Sequence, residues 1–367
     1  MCLLKTGDNK AAWEDLRASS VTVMNMNLFG IPMIGSDMCG FLDDTTEELC
    51  ARWMALGAFH PFSRNHNTIG VAPQEPYLWE SVAGVSRTAL GLRYRLLPYL
   101  YTLFYKANAA GSLVAQPLWA VFNHDAATHS IDEQFLWGDS VLVSPALYEG
   151  QETVTALFPT RQGETATWYS LSDTSAASVV SCPEAGESVS VDMATPWSAV
   201  NVHVKSGAVL ALHAAADPTT GEAPLTTVAA RALPYELLVT LDANAANAAK
   251  KGWGGAGDDA VVATGSVFLD DGVQATLEKA TLMEYSATAS SLSATVSDAT
   301  GDGYKGAALS TVATVSVLGV ATEPSAATID ASDAALPFTY DADKQLLTID
   351  LSETKVAMNT EFTLSWK

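Results

Sequence analysis

The first 110 residues run through one local pattern three times: a short apolar run, a polar loop, then residues spaced for a helix. No other feature constrains the fold as much, because strand–loop–helix repeats in series build parallel strands covered by helices. The first run, Cys2-Leu3-Leu4, leads into Thr6-Gly7-Asp8-Asn9. Asp8 or Asn9 can cap a helix that starts near Lys10 and carries Trp13 and Leu16. The second run, Ile31-Pro32-Met33-Ile34, opens into a loop from Gly35 to Phe41. Thr45-x-x-Glu48 then reads as a capping box for a helix with Leu49, Trp53 and Leu56 on one face. The third run, Ala58 to Phe62, ends at Ser63-Arg64-Asn65-His66-Asn67. Further on, Leu90, Tyr94, Leu97, Tyr101 and Phe104 form a helical stripe that reads as core, with Pro98 expected to kink or restart the helix.

In barrels of such repeats the chemistry sits on loops at the C-terminal ends of the strands. Asp8, Asp37 and His66 take that place, one per repeat. Three repeats cannot close an eight-stranded barrel, so part of the barrel is expected to lie upstream. A carboxylic acid facing a second carboxylate suits glycosidic bond cleavage. Each residue also has an ordinary structural use: a helix cap for Asp8, a turn before Gly40 for Asp37, a hydrogen-bonded structural histidine for His66. Arg64 can hold substrate or pair with a site carboxylate. No close-spaced ligand motif supports a metal site of Asp8, Asp37 and His66. With no phosphate loop, no Gly-x-Gly-x-x-Gly after a strand and no Gly-x-Ser-x-Gly elbow, no cofactor is expected.

Residues 111–367 differ in kind. They carry 31 of the 41 acidic residues and a net charge of -21 out of -22. A chain this acidic repels phosphate, which argues against nucleic acid as a partner. At 48% apolar and 16% charged, it can build more than one core. No run of 18 apolar residues suggests a membrane span, and Lys5 close behind Met1 argues against a signal peptide. The region reads as all-β, with strands at 141–143, 153–157, 166–170, 208–212, 236–241 and 346–351. Asp298 to Asp302 reads as a turn, Lys250 to Gly257 as a surface loop, and Asp270-Asp271-Gly272 as a turn instead of a calcium loop. The expected fold is thus α/β plus all-β: residues 1–115 from the C-terminal part of a (β/α)8 barrel, then β-sandwich domains at 116–213 and 214–367. Oligomeric state leaves no mark in the sequence.

Several segments together resemble glycoside hydrolase family 31, the α-glucosidase family. They are Thr6-Gly7-Asp8-Asn9-x-x-x-Trp13, Gly30 to Phe41, Glu47 to Asn67 with gaps, Gln74-Glu75-Pro76-Tyr77, and Arg93 to Phe104. Thinner similarity runs through 134–145, 202–210, 268–272 and 362–366. The resemblance implies retaining hydrolysis of terminal α-glucosidic bonds in oligosaccharides. It makes Asp8 the general acid/base, Asp37 and His66 sugar-binding residues, and Phe41 a hydrophobic wall; Arg64, beside His66, stays a substrate-binding candidate on its own chemistry. Cys39 and Cys50 match a pair bridged in animal members, which implies a disulfide and a secretory, lysosomal, vacuolar or extracellular setting. The family's nucleophile motif, Trp-x-Asp-Met-Asn-Glu, does not occur in these residues. Lys5 stands where the family usually has Trp, and Gln116 and Lys205 where it usually has Arg. The chain alone is therefore expected to lack turnover. The alternatives are a non-catalytic carbohydrate-binding member and a structural β-module.

Overall fold

The computed structural model describes residues 3–172, 179–182, 184–217, 220–242, 260–273, 278–300, 303–330 and 334–367; the expected loop at 250–257 lies outside them. The chain divides into two compact units. One takes Met1–Arg93, Leu103–Thr174 and Ser178–Val204, the other Tyr94–Thr102, Ser175–Ala177 and Lys205–Lys367.

The chain opens with β1 (Leu3–Lys5), α1 (Trp13–Leu28), β2 (Met33–Gly35), β3 (Asp37–Met38), α2 (Glu47–Gly57) and β4 (Arg64–Asn65), all in the first unit, and α3 (Glu80–Ala110), whose stretch Tyr94–Thr102 is counted with the second. β1 pairs with β2 in parallel, Leu4 opposite Ile34. β3 pairs with β4 in parallel, Asp37 opposite Arg64 and Met38 opposite Asn65. The three strand–helix repeats are therefore present, but several local expectations shift. Helix α1 begins at Trp13 after Ala12, which makes no side-chain cap, so neither Asp8 nor Asn9 is a helix cap. Thr46, not Thr45, caps α2 by accepting from the Leu49 amide, and Glu48 instead accepts from the Gly150 amide.

Residues 58–62 are turn where a strand was expected. Helix α2 runs on to Gly57, and the Phe59 and His60 amides donate back to Leu56 and Gly57. The Ala58, His60 and Pro61 carbonyls go to the Arg93 guanidinium at 2.7, 2.7 and 2.8 Å. A side chain thus satisfies groups that a neighbouring strand would otherwise take. One strand-like bond survives, from the Phe62 amide to the Ile34 carbonyl at 3.0 Å. Gly35 permits this approach, since a Cβ there would lie 1.8 Å from the Phe62 oxygen.

Helix α3 continues through Pro98 without restarting and ends at Gly111, which adopts a left-handed φ of 70°. Its buried residues include Val82, Val85, Ala89, Leu96, Leu100, Leu103 and Phe104; of the expected stripe only Phe104 is buried, and Tyr101 is 42% exposed. Tyrosine keeps a polar tip, and this one needs it: its hydroxyl donates to the Asp270 carboxylate at 2.8–2.9 Å.

The first unit then continues through β5 (Ala115–Gln116), α4 (Leu118–Val121), β6 (Phe135–Trp137), β7 (Val141–Val143), β8 (Thr153–Phe158), β9 (Ala166–Ser170), β10 (Val179–Cys182), β11 (Val189–Ala194) and β12 (Val202–Lys205). One sheet runs β10-β9-β12-β7-β6-β5, while β11 pairs with β8. Leu136, Leu142 and Trp168 from the first sheet and Ala156 and Phe158 from the second share one buried cluster.

The second unit holds β13 (Ala208–His213), α5 (Thr227–Ala232), β14 (Tyr235–Thr240), β15 (Ala263–Leu269), β16 (Ala280–Ala287), β17 (Ser291–Thr300), β18 (Thr311–Leu318), β19 (Ala327–Ile329), β20 (Phe338–Asp341), β21 (Leu346–Asp350), β22 (Val356–Ala357) and β23 (Phe362–Trp366). Its strands join one ladder, β19-β23-β17-β16-β15-β13-β14-β18-β21-β20, with β22 added on β18. Ala327 and Leu364 from one end and Leu347 and Ile349 from the other enter the same core as central Val209 and Leu237. A sheet whose two ends share a core has curled on itself. Asp298–Thr300 belong to β17 where a turn was expected. Asp270-Asp271-Gly272 is a turn, its two carboxylates accepting the Gly272 and Val273 amides.

Three histidines are buried. Burial pushes His60 down to about 3, helped by the positive charge of Arg93. It pushes His203 down to about 4, and His213 to about 4 with Arg231 adding to the effect. Each binds its proton in the unfolded chain near 6.5 but not in the folded one, so their stabilisation is complete above pH 6.5 and is lost as pH falls towards 3–4. Each contributes about 1.4 kcal/mol per pH unit across that window. The urea midpoint of the protein should fall between pH 6.5 and 4.5, and less steeply in His203→Phe; parallel pH dependences in the two proteins would contradict this.

Candidate functional site

The site begins with the β3–β4 register. Parallel neighbours at matched positions project to the same face, so Asp37 and Arg64 meet side by side. The Asp37 side chain has no exposure, and its Oδ1 accepts from Arg64 Nη2 at 2.6 Å and Nε at 3.0 Å. The Arg64 side chain is 39% exposed and lies over the Phe62 ring, 5.4 Å from its centre. A buried carboxylate is tolerated when paired in this way.

Asn9 joins the first loop to this pair. Its amide nitrogen donates to the Asp37 carbonyl at 2.9 Å, and its amide oxygen accepts from the Asp37 amide at 3.1 Å. The Asn9 carbonyl accepts from the Phe41 and Leu42 amides at 2.8 and 3.0 Å. Asp8, the preceding residue, is exposed at the surface of this clasp. Gly40 makes the close approach possible: its φ is 101°, and a Cβ there would sit 2.4 Å from the Ala11 backbone.

The third loop docks on the second. The Thr68 amide donates to the Phe41 carbonyl at 2.9 Å, and the Ala72 amide to Asp44 Oδ1 at 2.7 Å. The rings of Phe41 and His66 lie 5.3 Å apart, tilted by 32°, with His66 exposed. Cys39 and Cys50 form a disulfide that fastens the Asp37–Phe41 loop to α2. Loop-closure arithmetic puts such a bridge at roughly 2–3 kcal/mol. Below the loop, Ser36 accepts from Trp53 Nε1 at 3.1 Å.

Asp8, Asp37, Phe41, Arg64 and His66 therefore lie on or beside three loops bonded to one another; Asp8 is not the cap of α1, whereas Asp37 does open a turn before Gly40, its carbonyl accepting from the Gly40 amide at 3.2 Å. Asn9, Asn65, Gln74 and Arg93 fall in the segments that resemble the family, but the sequence assigned none of them the role of holding the loops. For Asn9 the signal was its place beside Asp8; for Gln74, eight residues past His66, it was only its place in the family-like run Gln74-Glu75-Pro76-Tyr77.

Two family models meet this chain. The glycosyl hydrolases family 31 TIM-barrel domain matches residues 4–103, and the glycosyl hydrolase family 31 C-terminal domain matches residues 111–210. The chain belongs to glycoside hydrolase family 31. This family 31 chain is 48% identical over 267 residues to a probable alpha-glucosidase of Oryza sativa subsp. japonica, covering 73% of the chain and 26% of that protein. It is 36% identical over 376 residues to the lysosomal alpha-glucosidase of Mus musculus, covering 98% of the chain and 36% of that protein. It thus spans about a quarter to a third of these curated relatives. The crystal structure of a glucosidase II alpha subunit shares its fold with a TM-score of 0.80 and 22% identity, over 100% of this chain and 38% of that one. The mixed α/β architecture, part of a family 31 TIM barrel followed by β domains, agrees with these matches.

Asn9→Ala should cost about 2 kcal/mol, since two partly buried bonds to Asp37 are lost. Chemical denaturation measures it, and a change below about 0.5 kcal/mol would show that Asn9 does not hold the loops together.

Proposed function

We propose that this chain supplies the acid/base side of a retaining α-glucosidase site acting on terminal α-glucosidic bonds of oligosaccharides. The observation that carries the reading is the Asn9–Asp37–Arg64 junction, which gathers the loops bearing Asp8, Phe41 and His66 in a family 31 chain. Asp8 is exposed, where a glycosidic oxygen could reach it. In its acid form it would donate a proton to the leaving oxygen, and in its anionic form accept one from the water that releases the sugar. Arg64 and His66 would hydrogen-bond sugar hydroxyls, while Asp37, expected from the sequence to touch the sugar too, has no exposure and would act by holding the Arg64 guanidinium. Phe41 would pack against the sugar ring, whose C–H face suits an aromatic surface.

Retention needs a second carboxylate as nucleophile. Without Trp-x-Asp-Met-Asn-Glu in its 367 residues, the chain alone would not turn over substrate. The reading further takes residues 1–115 as barrel and 116–213 and 214–367 as β domains, the distal one a single curled sheet where a sandwich was expected. The disulfide supports an oxidising compartment on the secretory route, as in a lysosome, a vacuole or the cell exterior.

Maltose tests this, because its leaving hydroxyl requires protonation. The 367-residue protein should show no release of glucose. A form extended at its N-terminus by reading frame that encodes the nucleophile motif should release glucose, and Asp8→Ala in that form should lower kcat by about 10²–10⁴-fold. Undiminished turnover in Asp8→Ala would overturn the acid/base assignment.

A further inference from the structure

We infer that Gln74 is a positioning residue that sets the gap between Phe41 and His66. The inference rests on the reading of these loops as a sugar site, and adds the device that holds their separation. Gln74 is 3% exposed, and its single amide nitrogen lies within reach of four oxygens on two loops. On the β3 side these are the Met38 and Gly40 carbonyls at 3.1 and 3.0 Å. On the β4 side they are Asn65 Oδ1 at 3.2 Å and the His66 carbonyl at 3.3 Å. The Gly40 and His66 carbonyls belong to the residue before Phe41 and to His66 itself. Two N–H groups shared among four acceptors tie the backbones of both loops to one point.

The anchor is itself anchored. Asn65 Nδ2 donates to the Gln74 carbonyl at 3.1 Å and to Cys39 Sγ at 3.4 Å. The Asn65 side chain therefore binds Gln74 twice, donating to its backbone carbonyl and accepting from its side-chain amide, and it touches the disulfide at the base of the Phe41 loop. Between them the chain makes a loop with Ile69 fully exposed at its tip, closed by Asn67 Nδ2 to the Ala72 carbonyl at 2.9 Å. Without the Gln74 amide, four carbonyl-type oxygens would face one another in a buried space, which pushes the loops apart. The Phe41–His66 ring contact, 5.3 Å between centres, is the dimension that such a parting would change first.

The test uses the 367-residue protein in solution and NMR of three forms: wild type, Gln74→Met and Gln74→Glu. Gln74→Met keeps the volume and removes the donor. It should abolish the Phe41–His66 ring contact seen as nuclear Overhauser effects, and speed exchange of the Thr68 amide about 10- to 30-fold. Exchange at Leu237 and Val239 in the second unit should stay within about twofold, which separates a local role from general destabilisation. Gln74→Glu has a donor only when its carboxyl is protonated. It should keep the ring contact near pH 6, where burial among carbonyl oxygens holds the carboxyl protonated, and lose it near pH 8.5, while wild type keeps it at both. An intact ring contact in Gln74→Met, equal acceleration of all amides, or a Gln74→Glu form indifferent to pH would each overturn the inference. These readouts concern loop geometry alone. If they come out as expected while no form of the protein, extended or not, binds a glucose-like inhibitor, the sugar-site reading fails and the role of Gln74 stands.

Discussion

Asp37 carries a carboxylate with no exposure to water, and removing such a group from solvent costs several kcal/mol unless a cation meets it. Arg64 meets it because β3 and β4 pair in parallel with those two residues opposite each other. A register slip of one residue would send Arg64 to the other face and strand the charge. The ion pair and the strand register therefore depend on one another. The loops that follow both strands inherit their separation from that pair, and through Asn9 the loop bearing Asp8 does too.

The remaining structure around the junction limits how far the loops can move. Gly35 and Gly40 allow backbone approaches that any side chain would block. Arg93 closes the turn below the third loop by satisfying three carbonyls, and it stacks over Trp137, whose indole N–H donates to the Phe59 carbonyl. The disulfide fastens the second loop to its helix. Sites for charged or polar ligands work when their groups are held in place before the ligand arrives, since reorganisation then costs little. Here the holding is done by residues that touch backbone, while Asp8 and His66 stay exposed.

Much of this was legible in the sequence, and the misses have physical causes. The apolar runs and their helices were visible because periodicity is local; the same holds for strands such as Val141–Val143 and Ala166–Ser170, whose bounds match the reading. The turn at 58–62 was misread because its carbonyls are satisfied by Arg93, more than 30 residues away, and no local pattern announces that. The face of α3 was misread because Tyr101 looks apolar by spacing yet sends its hydroxyl to Asp270. At the site, Asp8, Asp37 and His66 were visible as polar residues on loops after strands. The holding roles of Asn9 and Gln74 were not, because their work is done on backbone groups distant in sequence. The curl of the distal sheet depends on pairings between β13, β14, β15 and β18 that short-range alternation does not encode.

The central claim is that Asp37 and Arg64 act as one unit joining the loops. A double-mutant cycle with Asp37→Asn and Arg64→Met, followed by urea denaturation, tests it most directly. The account predicts a coupling energy of roughly 1–3 kcal/mol, below that of a fully buried pair because Arg64 is partly solvated. Effects that add to within about 0.5 kcal/mol would mean the two side chains do not depend on each other, and the account would be wrong at its base.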